Sequence, residues 1–591
     1  MTKTKKFLTM FVASIMAFGT LSMSACDLIN GSGSGGNEMK QLEVFGASCM
    51  YKYKQDKVFA DAEKMAEIKM NAAANEYEPA QIIIAANDEE VSSYEIEVVD
   101  LVSESGAKIE KKNIEVYSAY YNRIALSTVG YPSGWYPDIL IRMKDRVDYG
   151  DNQIAKNENQ SIWFNVYVPK GTVAGEYKGE FLLTINNKEY KMPVNMNVYN
   201  FELPDETHVQ SAFDIWGPSH GNDMLTSVYG SRARAAEETL YEFMLKYRVS
   251  ADQLPGVNKN DPEVWIEQAV EYAARADVST FGIPIKNTSH NTYPHWFDET
   301  KLHDTLSLLV DRSTEEMNIF NKVWIYAPDE ADYTGHTDFV RDFTAAIKNI
   351  INVVLEEKDA EGAFEGKPSV REGLKNLPVV TTITDWGNYS TEWCSDSTMC
   401  PKYNAFDNED YVTQIQALQA EGKSVWVYSC GSFYPYTSYT VDADLENQRS
   451  AGVFQMRYNI QANLFWCVNL SKVWDGHSYS SSWDPYKTAY AFDKSPGDGY
   501  LVAPCGKYNA RSLTPYPTMR LEMVREGQED YEYLYLLKSL VALKGEEAMT
   551  ALETALEAEY NKLFVGAKPV ENPKAFIEFK EKIANMILEN L

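Results

Sequence analysis

The sequence predicts a multidomain protein with three folded parts. These are an N-terminal β-sandwich over residues 40–204, a (β/α)8 TIM-like barrel over 205–516, and C-terminal helices packed on the barrel over 517–591. Three observations carry this reading. Short β-branched segments separated by turn residues run to about residue 200. Strand-like and helical periods then alternate over roughly 300 residues, the pattern of a barrel built from βα units. From Pro517 onward the chain is helical in period.

The segments ahead of the sandwich read as targeting and tether. Lys3, Lys5 and Lys6 form a basic start and Phe7 to Leu21 is largely apolar. Met23-Ser-Ala-Cys26 then resembles a lipobox, where a bacterial signal is cut before a cysteine that takes lipid. Residues 1–25 are therefore expected to be a lipoprotein signal peptide, and Cys26 the lipidation site. Residues 26–39 contain Gly31-Ser-Gly-Ser-Gly-Gly36, a flexible tether with no core of its own. No later apolar run reaches spanning length. The expected location is the bacterial cell envelope, lipid-anchored at the outer membrane or cell surface.

Within the sandwich, Gln81-Ile-Ile-Ile-Ala85, Tyr94-Glu-Ile-Glu-Val-Val99 and Ile162-Trp-Phe-Asn-Val-Tyr-Val168 are strand candidates, and several alternate. Pro169-Lys-Gly171 and Asn186-Asn187 are the turns between strands. Leu203-Pro204 marks the boundary. Barrel strands are expected at Val209–Trp216, Val278–Ile285, Val323–Ala327, Pro378–Thr384, Ser424–Ser429 and Asn463–Val468. Helices are expected near 232–247, 262–275, 302–320, 336–350, 408–420 and 445–460. An open Rossmann-like sheet is the rival, but no Gly-rich phosphate turn follows any strand. In the last part, Arg520 to Leu543 reads as strongly amphipathic, with Arg520 and Arg525 as structural ion-pair partners.

Charge and cysteines narrow the function. The net charge of −30 repels nucleic acid, and no basic patch offsets it. The seven cysteines lack zinc-like spacing and the seven histidines show no HExxH grouping, so neither a metal nor a cofactor is expected. Cys394 and Cys400 are close enough for a small-loop disulfide, and that pairing stays open. Cys430 and Cys467, in apparent strands, read as buried small hydrophobes.

The chemistry concentrates in Val323-Trp-Ile-Tyr-Ala-Pro-Asp-Glu330. A short apolar strand ends in two adjacent carboxylates, Asp329 and Glu330, where a barrel keeps its reactive groups. The chain is rich in aromatic residues, with 12 Trp, 39 Tyr and 24 Phe. Rings that stack on sugar C–H faces, beside carboxylates that bind hydroxyls, suit a carbohydrate. Glycoside hydrolysis usually divides its work between two separated carboxylates. Consecutive residues at a strand end point in different directions, so these two are not expected to flank one anomeric carbon. The division that fits has Glu330 as acid/base and Asp329 orienting a nucleophile that belongs to the substrate, the 2-acetamido group. Candidate substrate-binding residues are Tyr326 just before the pair, Trp386 after a strand, Trp426 and Tyr428 on one strand face, Trp466 at a strand end, and Trp474 and Asp475 in a loop suited to hydroxyls. Barrel core is the competing role for Trp426, Tyr428 and Trp466.

These segments resemble glycoside hydrolase family 123 and relatives long catalogued as a domain of unknown function. The resemblance rests on Tyr326-Ala-Pro-Asp-Glu330, Val425-Trp-Val-Tyr-Ser-Cys430, Phe465-Trp-Cys-Val-Asn469, Asp484-Pro485, Gly497-Asp-Gly-Tyr-Leu501 and Arg520 through Tyr533. It implies a sandwich followed by a barrel and a retaining, exo-acting β-N-acetylgalactosaminidase with substrate assistance. Glu330 would be its acid/base and Asp329 the acetamido partner. The implied ligand is a glycan ending in a β-linked 2-acetamido sugar. Two departures stand out: Ala331 follows the acid pair where the family often has Pro, and Ala503-Pro-Cys505 replaces Tyr-Pro-Gly. The alternatives are a hydrolase of another specificity, such as a β-N-acetylglucosaminide, and a non-catalytic glycan-binding lipoprotein.

Overall fold

The computed structural model describes residues 42–60, 63–218, 224–256, 261–285, 297–431, 433–474, 479–492 and 494–591. The signal peptide, the tether, Cys26 and Asp475 lie outside the described residues. Lys40–Leu591 form one compact unit.

Eleven strands build the N-terminal part: β1 (Glu43–Ala47), β2 (Ile68–Ala74), β3 (Glu76–Ala86), β4 (Tyr94–Glu97), β5 (Leu101–Ser103), β6 (Lys108–Ile109), β7 (Ile114–Ile124), β8 (Gly134–Arg142), β9 (Glu158–Val168), β10 (Gly175–Ile185) and β11 (Lys188–Glu202). One sheet has the order β1-β3-β9-β7-β8. The other runs β2-β11-β10-β5-β6, with β4 also on β10. The β10–β11 hairpin turns at Asn186 and Asn187, both at positive φ, the backbone that matches strand twist in a two-residue turn. Along β10 and β11 buried and exposed positions largely alternate, because only one face is covered. β3 and β9 are buried on both faces. Ile82, Ile84, Phe164 and Val166 pack against Phe181, Leu183 and Met196 of the facing sheet. Tyr117, Ala119, Leu140 and Trp163 pack the other way, in a cluster with Met519 and Met523. Two-sided burial explains the unbroken apolar run at Ile82–Ile84.

Seven parallel strands follow: β12 (Gln210–Phe213), β13 (Phe281–Gly282), β14 (Val323–Tyr326), β15 (Val379–Ile383), β16 (Thr398–Pro401), β17 (Trp426–Ser429) and β18 (Ala462–Phe465). They form a sheet β12-β18-β17 and a sheet β13-β14-β15-β16, every pair parallel. Parallel bridges Met399↔Val425 and Lys402↔Tyr428 connect the two sheets, and Phe213↔Ala251 extends the first. Beside Ala251, the Asp252 carbonyl accepts from the Gly282 N–H at 2.5 Å. Side chains from both sheets share one cluster: Ala212, Trp324, Val380, Cys400, Trp426, Tyr428, Ala462 and Leu464. Helices Ala233–Leu245, Pro262–Ala273, Glu299–Arg312, Thr337–Ala360, Glu409–Ala420 and Leu445–Arg457 alternate with the strands. The strand expected at Val278–Ile285 shrinks to Phe281–Gly282, since Pro284 has no N–H for a ladder.

One open question closes and one expectation changes. Cys394 and Cys400 are free thiols: Cys400 faces the strand interior, while the Cys394 thiol donates to the Ser390 carbonyl at 2.9 Å. Helix Met519–Ala542 is not half solvated, because every residue from Met519 to Asp530 is buried. Its polar side is turned into the protein, where its arginines meet carboxylates and Asp530 meets an arginine. Arg520 makes a two-bond pair with Asp138 of β8 (2.8 and 2.9 Å). Its Nη1 donates to the carbonyls of Tyr439, Gly497 and Tyr500. Arg525 reaches Glu522 at 2.6 Å, and Arg449 takes Asp530 at 2.7 and 2.9 Å. Both arginines expected to be ion-pair partners are so.

Breaking a buried pair strands a charge, which costs about 3–5 kcal/mol. Arg520→Met should therefore lower stability by about that amount in urea unfolding. Glu446 is 3% exposed, and burial pushes its carboxyl up to about 8. A folded pKa above the unfolded one means stability is lost as pH rises through that value. Wild type should thus lose stability relative to Glu446→Gln between about pH 5 and pH 8, read from paired denaturation curves.

Candidate active site

β14 keeps pairing one residue past its end, where the Ala327 N–H donates to the Val380 carbonyl at 2.8 Å. The chain then turns at Pro328, and the two carboxylates part. Asp329 Oδ1 accepts from the Tyr326 hydroxyl (2.8 Å) and the Thr382 hydroxyl (2.6 Å). The Thr382 oxygen in turn accepts from the Glu330 N–H at 2.7 Å. One β15 hydroxyl therefore clamps both residues. Glu330 sits at φ 44°, ψ 43°, a left-handed backbone that costs a residue with a Cβ about 1–2 kcal/mol. Its carbonyl accepts from Tyr333 and Thr334, each at 3.0 Å, which holds the strained turn.

That backbone swings the Glu330 side chain toward β16 and β17. Oε1 accepts from the Tyr428 hydroxyl at 2.7 Å and lies 3.5 Å from Lys402 Nζ. The Glu330 side chain stays 25% exposed, so a ligand can reach it. On each carboxylate both protein contacts fall on one oxygen. Among the described residues, no protein contact falls on Asp329 Oδ2 or Glu330 Oε2. Burial, then the neighbouring acid, raises the Tyr326 and Tyr428 phenols well above their ordinary range, so both remain donors. Asp332 ties the β14 loop to the β15 loop, accepting from Thr384 N–H and hydroxyl, Asp385 N–H and Asn388. Burial opposes its charge, but those bonds outweigh burial and hold its carboxyl below the usual range.

Tyr326, Tyr428, Asp329 and Glu330 thus come together. Trp466, one residue past β18, is the part-exposed member of an otherwise buried run from Ala462 to Leu470. It packs edge-on to Trp216 at 5.6 Å and tilted to Phe492 at 5.1 Å. Trp426 shares Tyr428's face but lies deeper, 1% exposed, against Trp324 and bonded to Gln461. Trp386 is elsewhere, 3% exposed, stacked on Tyr389 and bonded to Gln414. Neither ring offers a sugar a face. Trp474 is part-exposed in the hairpin Lys472–Trp474 and Tyr479–Ser482, tilted against Tyr479.

Sequence reasoning missed Thr382, Lys402, Asp214, Asp332 and Asp498. Lys402 directly follows β16 and Asp214 directly follows β12. Position at a carboxyl strand end was the available signal for both. Asp214 accepts from the Trp216 indole at 3.0 Å, and Asp498 accepts from the Trp466 indole at 3.1 Å. Among the described residues no group of three or more His, Cys, Asp or Glu converges as metal ligands would.

Two carboxylates, each with one oxygen pinned and one open, lie among aromatic rings at the carboxyl ends of parallel strands. Such a site can give and take protons on a carbohydrate, and the class it defines is glycoside hydrolase. Residues 47–185 match the family model of the glycoside hydrolase 123 N-terminal domain, and residues 250–537 that of the glycoside hydrolase 123 catalytic domain. The chain belongs to glycoside hydrolase family 123.

A solved family 123 glycoside hydrolase from Clostridium perfringens, studied for glycolipid glycan hydrolysis, shares the fold. Its TM-score is 0.61 at 17% identity, over 93% of this chain and 98% of that one. A β-D-glucuronidase of Dictyoglomus thermophilum (7% identity, 83% and 98% covered, TM-score 0.29) is too loose a match to carry an argument. So is a family 20 exo-β-N-acetylglucosaminidase of Vibrio harveyi (8%, 72% and 91%, TM-score 0.17). No curated protein matches the chain.

Because Glu330 needs a left-handed backbone, truncating its side chain should invert the usual Ala-over-Gly order. Glu330→Gly should be more stable than Glu330→Ala by about 1 kcal/mol in thermal unfolding.

Proposed function

We propose that this family 123 hydrolase is a retaining, exo-acting β-N-acetylgalactosaminidase that uses the substrate's own acetamido group as nucleophile. The paired open oxygens carry the proposal. With Oδ1 held by Tyr326 and Thr382, Asp329 Oδ2 accepts the acetamido N–H and turns the amide oxygen toward C1. With Oε1 held by Tyr428, Glu330 Oε2 carries the proton for the glycosidic oxygen. The amide oxygen bonds to C1 as the C1–O bond breaks, and the leaving oxygen takes the Glu330 proton. Asp329 faces the positive charge of the resulting oxazolinium ion. Water then adds at C1, Glu330 takes its proton, and the acetamido group is restored with the anomeric configuration retained. The tethered nucleophile needs no encounter, which is the source of its rate advantage. Trp466 serves as the ring platform in this reading.

The same reading joins the two parallel sheets and their bridges into a (β/α)8 barrel, with the acid pair at its mouth. It also places the protein at a bacterial envelope through lipid on Cys26.

The test is hydrolysis of aryl β-N-acetylgalactosaminides beside their glucosamine isomers by wild type, Glu330→Gln and Asp329→Asn. The galacto isomer should be preferred. Glu330→Gln should lose about 10²–10⁴ in kcat, much of it regained with a dinitrophenyl leaving group that needs no proton. Asp329→Asn should stay slow with either leaving group, and a thiazoline analogue of the intermediate should inhibit. Equal rates for wild type and Glu330→Gln would falsify the role given to Glu330. Preference for the glucosamine isomer would transfer the activity to that sugar.

A further inference from the structure

Asp498 belongs to no step above, yet it is a carboxylate held at 1% exposure. It sits in the turn Gly497-Asp498-Gly499, with both glycines at positive φ. Their missing side chains matter. A Cβ on Gly499 would lie 2.9 Å from the Trp466 ring, and one on Gly497 would lie 2.6 Å from Val441 and 2.9 Å from Arg520 Nη1. The turn is therefore pressed between the indole and the buried arginine. From it, Asp498 Oδ2 accepts two bonds, the Gly431 N–H at 2.9 Å and the Trp466 indole N–H at 3.1 Å.

Those donors end adjacent strands. Tyr428 and Ser429 pair with Leu464 and Phe465, and continuing that register sets Trp466 beside Cys430. Side chains alternate along strands, so Trp466 follows Leu464 on the inward row, one step beyond the level of Tyr428, which holds Glu330. Cys430 feels the charges of Asp498, Glu330, Lys402 and Asp329 together, so the turn and the acid pair have this one side chain as a common neighbour.

We infer that Asp498 is a positioning residue that fixes the Trp466 indole and the Gly431 turn, setting the angle at which the sugar ring meets Glu330. This rests on the reading of the site given above. Among the described residues the carboxyl has no cation in bonding contact, and Arg520 is committed to Asp138 and three carbonyls. Burial pushes Asp498 up to about 6 despite the bonds from Gly431 and Trp466 and the Arg520 charge. An apolar residue would fill this place without the cost of burying a carboxyl, but only an acceptor can hold the Gly431 and Trp466 N–H groups together.

The experiment uses the full chain with Trp466→Phe, Asp498→Asn, Asp498→Leu and the double variant Trp466→Phe/Asp498→Leu. Trp466→Phe removes the indole donor and keeps a ring. It should raise KM for the preferred aryl glycoside several-fold, with a smaller change in kcat. Asp498→Leu should do the same, and the double variant should cost little beyond either, because both break one contact. Additive losses, or a Trp466→Phe enzyme with wild-type KM, would overturn the inference.

A second readout needs neither substrate nor Glu330. With ¹⁵N-indole-labelled tryptophan, the cross-peak missing from Trp466→Phe should shift in Asp498→Asn, and an unmoved peak overturns the contact. If Glu330→Gln keeps full activity while that peak shifts, the acid assignment fails and the Asp498 tie survives.

Discussion

The Asp138–Arg520 pair is the contact on which the rest of the molecule hangs. Asp138 belongs to β8 of the sandwich and Arg520 to the helix Met519–Ala542, and both are fully buried. The guanidinium spends its remaining Nη1 donor capacity on the carbonyls of Tyr439, Gly497 and Tyr500. One planar cation therefore locks three things to the helix: a sheet edge, a loop after β17 and the turn carrying Asp498. Arginine suits this because its donors form a rigid fork; a lysine ammonium could not repeat the geometry. In a low-dielectric interior such a network is useful only when its members are satisfied, and the bonds from Arg520 meet that condition.

From this hub a chain of short contacts leads to the acid pair. Gly497 and Gly499 carry Asp498, Asp498 holds Trp466 and Gly431, and Tyr428 on the same strand as Gly431's lead-in bonds Glu330. On the other side Thr382 and Tyr326 hold Asp329. The local backbone of Glu330 is strained, and strain persists only where surrounding contacts over-determine it. Here the Thr382 clamp below and the Tyr333 and Thr334 amides above do so.

Much of the architecture was legible because it follows from local period. Alternation along β10 and β11 reports one covered face, and the sheet-helix rhythm after residue 205 reports parallel strands. The acid pair was legible because a strand ending in two carboxylates is a local pattern. What stayed hidden depends on contact between distant segments. Period 2 tells which face Trp426 and Tyr428 share but not that the Trp426 ring is closed off against Trp324. Nothing near Thr382 announces that its hydroxyl bridges Asp329 and the Glu330 amide, because the partners are about fifty positions away. The helix from Met519 misled for a related reason: charged residues at helical spacing look solvated until their counter-ions arrive from β8 and the helix Leu445–Arg457.

The doubly covered first sheet has a consequence for how the protein can be divided. Trp163, Tyr117 and Leu140 on its outer face belong to the same core as Met519 and Met523, and Asp138 belongs to Arg520. The N-terminal region is thus no detachable sugar-binding appendage. Cutting the chain near Leu203 would open an oily wall on one fragment and leave an orphaned cation in the other. A divided hydrolase would have to keep the first sheet together with the helix that starts at Met519.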